Sequence, residues 1–361
     1  MKKIFAFALA AAAAMSVQAQ DAKTLYNEAK KLDDTFNKSK PTQTAPNKQI
    51  TEEAALALLQ AMEMYDQVAV LDNQPNEKGE VKPKFIKKIQ DSREKHAKGN
   101  DFNQAAIVLY NANKKFPEAY TAFMLNGNTS KEYKTAADTV YAIDFYNAGN
   151  MAYGVDFKAA AKAYEAARAA NIKDVNAYIY DIGSRQQMAQ KDPEYAKQAG
   201  EDIFVIAGEG LKRFGPEQDF LLNNYIQHYI DNEKYDEAFG VLDQIAAQYP
   251  NNANVYRLRG IMSNATHKYK DAIPAFTKMA DLTNRADYLT RAADDLNRIG
   301  KMVMGNLGNN VAPDQKAEVL DILNAAMSIA NKAKTAEDAD LNQINDVIEQ
   351  IQYSINNANL L

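Results

Sequence analysis

The chain has 361 residues, with 42 lysines and arginines against 47 aspartates and glutamates, which gives a formal net charge of −5. The charges are interspersed, which excludes the basic footprint expected of a protein that binds nucleic acid or anionic lipid. Cysteine is absent. This excludes disulfides, a thiolate metal site, a catalytic thiol and a lipid attached to a cysteine.

The first nineteen residues have the pattern of a cleavable export signal. Lys2 and Lys3 form a basic start, residues 4–14 are apolar, and Val17–Ala19 supplies the small residues that signal peptidase requires. The apolar run is too short to anchor the chain in a membrane, because a spanning helix takes roughly 20 residues. We therefore expect residues 1–19 to be removed and the mature protein to be periplasmic or secreted, without membrane insertion and without a lipid anchor.

Two helices are predicted in the N-terminal region, residues 20–82. The first follows from apolar residues that recur in steps of four, three and four, namely Leu25, Ala29, Leu32 and Phe36. The second begins after Thr51, whose hydroxyl can cap it, and carries Glu52 and Glu53 in its first turn. It runs to about Leu71, and a polar segment follows it.

Residues 83–285 contain a recurring helical pattern. An aromatic residue is followed after three positions by alanine, after four more by an aromatic residue or leucine, and after three more by another small or apolar residue. The four sets are Phe102/Ala105/Leu109/Ala112, Phe157/Ala160/Tyr164/Ala167, Tyr235/Ala238/Leu242/Ile245 and Tyr269/Ala272/Phe276/Met279. Another helix precedes each set, so the recurring unit is a pair of helices that must stack on its neighbours to bury its apolar face.

The paired helices, the 34-residue spacing of the last two sets and the aromatic–alanine pattern resemble the tetratricopeptide repeat. Gly149 and Gly260 suit the close approach of the two helices in a pair. Residues 178–215 are a degenerate unit with an insertion. The resemblance implies a right-handed α-solenoid of helix pairs. A weaker likeness, through the signal region and residues 137–150, is to exported repeat proteins of the Bacteroidetes.

The C-terminal region, residues 286–361, is helical but departs from the repeat pattern. A break at Met304–Pro313 is followed by a narrow apolar stripe, formed by Leu341, Ile344, Ile348, Ile351 and Ile355. Because the end of a helical array needs a polar outer face, we expect the last two helices to cap it. No stretch alternates in the manner of a β-strand, so the predicted class is all-α.

Catalytic patterns are absent from the sequence. The three histidines, His96, His228 and His267, lack the spacing of metal ligands. The glycines of residues 208–215 match neither a dinucleotide fingerprint nor a phosphate-binding loop. Adjacent carboxylates such as Asp294 and Asp295 do not face each other on a helix, so they do not form an acid–base pair. We expect a protein that is not an enzyme and that holds no cofactor or metal.

The resemblance implies that the leading helices of the pairs line a concave binding surface. The binding candidates at exposed offsets on these helices are Tyr146, Asn147, Asn150, Asn223, Gln227, Arg257 and Asn264. Asparagine side chains can bind an extended peptide backbone, and arginine can bind a carboxylate. The paired lysines and asparagines with which the family binds a peptide's terminal carboxylate are incomplete here.

The expected function is that of a non-enzymatic envelope scaffold that binds a protein or peptide partner in this groove. The alternative is a small-ligand or glycan-binding protein of the cell envelope, although the chain has no tryptophan to stack on a sugar. An enzyme is the third possibility, and a cluster of titratable residues in a closed pocket would favour it.

Overall fold

A computed structural model describes residues 21–75, 79–134, 141–266, 268–307 and 311–361. The predicted export signal and His267 lie outside the described residues. Within them there is no β-strand, and one isolated bridge joins Thr42 and Ala45. The chain is therefore all-α, as predicted.

The described residues form sixteen α-helices that run in order along the chain. They are α1 Ala22–Ser39, α2 Glu52–Asp72, α3 Ile86–Lys98, α4 Asp101–Asn111, α5 Tyr120–Tyr133, α6 Tyr141–Ala152, α7 Phe157–Ala169, α8 Asn176–Lys191, α9 Pro193–Phe214, α10 Asp219–Asp231, α11 Tyr235–Gln248, α12 Ala253–Ala265, α13 Tyr269–Leu282, α14 Ala286–Gly305, α15 Pro313–Ala333 and α16 Leu341–Asn359. A single π-helical turn, Lys115–Ala119, precedes α5.

The helices belong to two compact units, which divide between Lys197 and Gln198 within α9. In unit 1, which contains α1 to α8, consecutive helices pack against one another. In unit 2, which contains α10 to α16, consecutive helices also pack together, and in addition α10 contacts α12 and α12 contacts α14. These three leading helices therefore form one layer of unit 2. The regions predicted from sequence, 20–82, 83–285 and 286–361, stay predictions.

Side-chain caps explain where several helices begin. The hydroxyl of Thr51 accepts a hydrogen bond from the backbone N–H of Ala54 at 3.2 Å, which confirms the predicted start of α2. Asp156 caps α7 in the same way by accepting from the N–H of Ala159 at 3.0 Å. These bonds satisfy backbone donors that have no partner inside the helix.

Glycines allow the two helices of a pair to approach closely. A Cβ atom on Gly149 of α6 would lie 2.4 Å from Cε1 of Tyr164 on α7. A Cβ atom on Gly260 of α12 would lie 2.5 Å from Cε2 of Phe276 on α13. Both rings are fully buried. The predicted role of these glycines in helix packing is therefore confirmed.

Helix α5 is an element that the recurring pattern does not single out. It packs against α6, and a Cβ atom on its Gly127 would lie 2.6 Å from Cε1 of Phe145. The contact has the same chemistry as the one at Gly149, a glycine beneath an aromatic ring. A glycine that faces a buried aromatic residue on the next helix is thus the sequence feature from which α5 could have been predicted.

A buried ionic network joins the first four helices of unit 1. His96 is completely buried, its Nδ1 lies 2.7 Å from Oδ2 of Asp101, and its Nε2 lies 2.8 Å from Oδ1 of Asp33. Lys40 forms an ion pair with Asp101. The sequence indicates no metal-ligand spacing for His96, and the structure gives it a structural place between two buried carboxylates.

Further donors surround Asp33. Its Oδ2 accepts hydrogen bonds from the hydroxyl of Ser92 at 2.7 Å and from that of Tyr65 at 3.2 Å, and its Oδ1 accepts from Nδ2 of Asn37 at 2.5 Å. Burial alone would raise the pKa of Asp33, but the hydrogen bonds and the charge of His96 outweigh it and lower that pKa to about 2. Asp33 is therefore ionised, and all of its neighbours in the network donate to it.

Candidate functional site

The predicted binding residues fall into two groups that lie in different units. Three of them are on α6 in unit 1, namely Tyr146, Asn147 and Asn150. Four are on α10 and α12 in unit 2, namely Asn223, Gln227, Arg257 and Asn264. Each group is described by itself.

In the α6 group, two of the three residues contribute to packing between α6 and α7. Oδ1 of Asn150 accepts a hydrogen bond from the hydroxyl of Tyr164 at 2.8 Å. The ring of Tyr146 lies 5.9 Å from that of Tyr164, and burial raises the pKa of Tyr146. Asn147 is half-buried and forms no side-chain hydrogen bond with a described residue. Asn147 thus keeps both of its side-chain polar atoms for another molecule, whereas Asn150 uses its Oδ1 within the helix pair.

In unit 2, hydrogen bonds connect two of the candidates across neighbouring leading helices. Nδ2 of Asn254 donates to Oδ1 of Asn223 on α10 at 3.2 Å, and Oδ1 of Asn254 accepts from Nη1 of Arg257 at 3.2 Å. Asn223 and Arg257 are 34 residues apart and occupy the same position in successive repeats. Asn254 was missed from sequence, although it lies three residues before Arg257 and therefore on the same helix face.

Two half-buried carboxylates flank Arg257, Asp219 on α10 and Asp295 on α14. Burial raises the pKa of each carboxyl. The positive charges of Arg285 and Arg257 oppose the shift at Asp219, and those of Arg257, Arg298 and Arg291 oppose the shift at Asp295. We call Asn223, Asn254 and Arg257, with these two carboxylates, the polar strip. It runs across α10, α12 and α14, the three leading helices that contact one another in unit 2.

Several buried polar atoms near the strip have no hydrogen-bond partner among the described residues. They are Nε of Arg257, Oδ1 of Asn264, and both Oδ1 and Nδ2 of Asn297. Asn264 lies two turns beyond Arg257 on the same face of α12. Asn297 is completely buried on α14 and lies two residues from Asp295, so its side chain points about 200° away from that carboxylate, into the interior. Since a buried polar group without a partner costs about 1–3 kcal/mol, the atoms of Arg257 and Asn264 mark a surface that can accept donors and acceptors from another molecule.

Gln227 is exposed on α10 and donates to Oδ1 of Asp231 at 2.7 Å. Both residues lie on one helix, and the bond is open to solvent. The structure thus places Gln227 one turn from Asn223 without connecting it to the strip. Of the four candidates in unit 2, Asn223 and Arg257 are brought together by hydrogen bonds.

The opposite face of α12 borders a different feature. Arg259 is two residues from Arg257, so the two side chains point about 200° apart around the helix. Arg259 forms an ion pair with Asp243 of α11 and lines an open groove of about 700 Å³ between α11 and α13. Three acidic and three basic side chains line that groove: Asp236, Asp243, Asp271, Arg259, Lys268 and Lys278. The groove therefore has no charge preference for a ligand.

The described residues contain no group of three or more histidines, aspartates or glutamates placed to hold a metal ion. In the same part of the chain, no helix combines the length and the apolar character that crossing a membrane requires. Asp294 forms an ion pair with Arg298 at 2.7 Å, while the neighbouring Asp295 belongs to the strip. The two carboxylates therefore point apart, as their adjacency on a helix predicted.

No protein-family model and no curated protein matches the chain. Among solved structures, a tetratricopeptide repeat protein of Bacteroides fragilis has 15% identity over 70% of this chain and 97% of its own length, with a TM-score of 0.35. The TPR2AB domain of yeast Sti1, in complex with pHSP90, has 12% identity over 92% of this chain and 98% of its own, with a TM-score of 0.25. A circular tandem repeat protein has 12% identity and a TM-score of 0.22 over 85% of this chain and 73% of its own.

These TM-scores are below 0.5, so the assignment of the fold depends on the chain's own contacts. The glycine–aromatic contacts at Gly149 and Gly260 and the layer of α10, α12 and α14 are the features that define it. The chain is an all-α protein of tetratricopeptide-like helix pairs.

Proposed function

We propose that this protein is a non-enzymatic scaffold that binds an extended segment of a partner protein along the polar strip of α10, α12 and α14. The observation that carries the proposal is the continuous chain of side chains from Asn223 through Asn254 to Arg257, with buried polar atoms of Arg257 and Asn264 that have no hydrogen-bond partner in the described part of the chain. Amide and guanidinium groups are the donors and acceptors that an extended peptide backbone requires.

The location of the strip supports a preformed binding surface. Asn254 is almost completely buried, and its two hydrogen bonds fix both Asn223 and Arg257. A surface held in this way loses little conformational freedom when a ligand binds, which favours affinity. Because the strip crosses three helices, a bound segment would contact each of them in turn.

Export of the protein to the periplasm or the exterior is part of the proposal. Its support is the pattern of residues 1–19, with a basic start, an apolar run and small residues before position 20. Mass spectrometry of the protein from the envelope fraction tests it. A mature N-terminus at or near Gln20 is the expected result, and an intact first residue in that fraction would contradict export by cleavage.

Affinity capture from the cross-linked native cell envelope tests the binding function. Three baits are compared, the wild-type chain, Arg257→Gln and Arg259→Gln. The two variants remove the same charge from the same helix, one inside the strip and one on the opposite face. We expect one reproducible partner with the wild type and with Arg259→Gln, and its loss with Arg257→Gln.

Two other outcomes would contradict the proposal. Equal capture by Arg257→Gln would show that the partner binds away from the strip. Absence of any partner with the wild-type bait would favour the small-ligand or glycan-binding alternative. A thermal unfolding curve for each bait establishes that a loss of capture does not reflect a loss of folding.

A further inference from the structure

A cavity of about 370 Å³ lies between α9 and α11, with Tyr225 of α10 between the two helices. All of it belongs to unit 2, which includes residues 198–214 of α9. Most of its lining is apolar or aromatic: Leu211, Pro216, Tyr225, Ile245 and Tyr249. Among the described residues, Lys212 is the only charged one that lines it. The cavity therefore has the size and the mostly apolar lining of a small-molecule site.

The apolar character of this cavity comes from a difference between successive repeats. Tyr225 lies 34 residues before Arg259 and so occupies the same position of the preceding repeat. Arg259 forms an ion pair across its own groove with Asp243, whereas Tyr225 packs toward α9. Gly208 provides the room there, since a Cβ atom on it would lie 3.1 Å from Cε2 of Tyr225. The space between α9 and α11 is thus left open and without an ion pair across it.

Contacts on two sides hold the walls of the cavity in place. The ring of Tyr225 stacks on that of Phe204 of α9, with 4.6 Å between the ring centroids and 13° between the planes. The turn after α11 is connected to the turn before α10, because Nδ2 of Asn252 donates to the carbonyl oxygen of Pro216 at 2.9 Å. A cavity whose walls are fixed in this way loses little conformational freedom when a ligand binds.

A single positive charge borders the cavity. Lys212 is exposed and forms no hydrogen bond or ion pair with a described residue. Its charged neighbours in sequence, Glu209, Arg213 and Glu217, do not line the cavity. Glu209 and Arg213 already have partners, and the carboxylate of Glu217 lies beside Gly215, with Oε2 2.5 Å from the position of an added Cβ atom. The ammonium group of Lys212 is therefore the charge that a ligand in the cavity would meet.

The other polar groups of the cavity are neutral. Burial, together with a hydrogen bond to Tyr229, raises the pKa of Tyr225 to about 12, so its phenol carries no charge at neutral pH. The amide of Gln248 is exposed and can donate a hydrogen bond to an anion. Among the described residues that line the cavity, none would repel a negative charge.

We infer that this cavity is a second binding site, separate from the polar strip, and that it takes a small apolar molecule with a carboxylate group. The apolar part would fill the space between Leu211, Tyr225 and Ile245, and the carboxylate would pair with the ammonium group of Lys212. The inference goes beyond the proposed function. Tyr225 and Asn223 are two residues apart on α10, so the cavity and the strip lie about 200° apart around that helix.

A single tryptophan can report binding, because the chain contains none of its own. Tyr249→Trp places one in the lining of the cavity, and Phe220→Trp places one at an exposed position of α10 outside it. The probes are decanoate, decanol and decyltrimethylammonium, each below its micellar concentration, added to the full mature chain. They share one alkyl chain and differ in the charge of the head group. We expect a saturable fluorescence change with decanoate in the Tyr249→Trp protein and none in the Phe220→Trp protein.

The charge preference is measured in the Tyr249→Trp protein. Decanoate should bind about two- to fivefold more tightly than decanol, as expected of one exposed ion pair, and decyltrimethylammonium should bind more weakly than either. Lys212→Met should abolish the difference between decanoate and decanol and leave the affinity for decanol unchanged. Lys278→Met is the control, since Lys278 lines the groove between α11 and α13 instead, and it should retain the difference.

Three results would overturn the inference. Without a saturable change in the Tyr249→Trp protein, the cavity would not be a site for apolar molecules. An equal change in the Phe220→Trp protein would assign the signal to general association of the alkyl chain with the surface. Equal affinities for decanol and decanoate, or a preference for decanoate that survives Lys212→Met, would remove the carboxylate from the ligand.

Discussion

Nε2 of His96 lies 2.8 Å from Oδ1 of Asp33, although 63 residues separate the two along the chain. The other ring nitrogen of His96 contacts Asp101. A neutral imidazole has one N–H, so it could donate to only one of two carboxylates. Burial lowers the pKa of His96, but the hydrogen bonds to Asp101 and Asp33 outweigh it and raise that pKa above its usual value. His96 is therefore a buried imidazolium that joins α1 to α3 and α4.

Replacing this imidazolium should destabilise unit 1. His96→Gln replaces the two ring N–H groups, one facing Asp33 and the other Asp101, by a single uncharged amide group. Breaking a buried ion pair in this way costs about 3–5 kcal/mol. Hydrogen exchange followed by mass spectrometry should show faster exchange in α1 to α4. His228→Gln is the control, because His228 stacks on Phe204 at the partly exposed surface of unit 2 and its loss should cost under about 1 kcal/mol. Similar effects of the two substitutions would contradict this role of His96.

The pH dependence of unit 1 should follow from the same groups. Folding raises the pKa of His96 above its ordinary value of 6.5. The stabilisation that charged His96 gives to unit 1 is therefore complete below pH 6.5 and is lost as the pH rises through the higher pKa of the folded state. Because folding lowers the pKa of Asp33 from 3.8 to about 2, its contribution is complete above 3.8 and is lost as the pH falls toward 2. Stability should be greatest between these limits.

Exchange rates of the α1 to α4 amides, measured across this pH range and corrected for intrinsic exchange, check the prediction. The wild type should lose protection as the pH rises above 6.5, and His96→Gln should lack this alkaline decline. Parallel pH profiles in the two proteins would show that another group is responsible.

Local periodicity was sufficient to predict the helix pairs. The cap at Thr51, the glycines at positions 149 and 260 and the shared repeat position of Asn223 and Arg257 all follow from spacing within one or two helices. The His96 network was not predictable, since it joins residues as far apart as Asp33 and Asp101. A buried aspartate looks like a solvated one in a sequence until the fold shows what surrounds it.

For the candidate site, too, the repeat positions could be predicted from the sequence, whereas the individual contacts could not. Repeat offsets identified Asn223 and Arg257, because equivalent positions of stacked repeats lie next to each other. They did not show that Oδ1 of Asn150 accepts a hydrogen bond from the hydroxyl of Tyr164, because that contact depends on how one particular pair of helices packs. Nor could they show that Asp294 forms an ion pair with Arg298 whereas Asp295 forms none with a described residue.

The glycines between paired helices should not tolerate a methyl group. Gly149→Ala and Gly260→Ala would each place Cβ about 2.4–2.5 Å from a buried aromatic ring, and overpacking of this kind costs roughly 1–3 kcal/mol. Gly200→Ala and Gly240→Ala are matched controls, since these glycines are helical and a Cβ would meet nothing within 4 Å. Alanine should stabilise a helix there by about 0.5–1 kcal/mol. Urea unfolding should show a lower free energy of unfolding for the variants at positions 149 and 260 and a higher one for those at positions 200 and 240. Destabilisation of all four variants would contradict the packing explanation.

Asp295→Asn should stabilise the folded protein. Folding raises the pKa of Asp295 through burial, so its ionised form opposes folding at any pH above the folded value, and the effect disappears below 3.8. The neutral amide removes this opposition. Asp294→Asn has the reverse sign, since it breaks an exposed ion pair with Arg298 that contributes about 0.3–0.5 kcal/mol. Thermal unfolding at neutral pH should therefore give a higher midpoint for Asp295→Asn and a slightly lower one for Asp294→Asn. The difference between Asp295→Asn and the wild type should vanish in acid, whereas a midpoint lowered by Asp295→Asn would show that Arg257 already compensates this carboxylate.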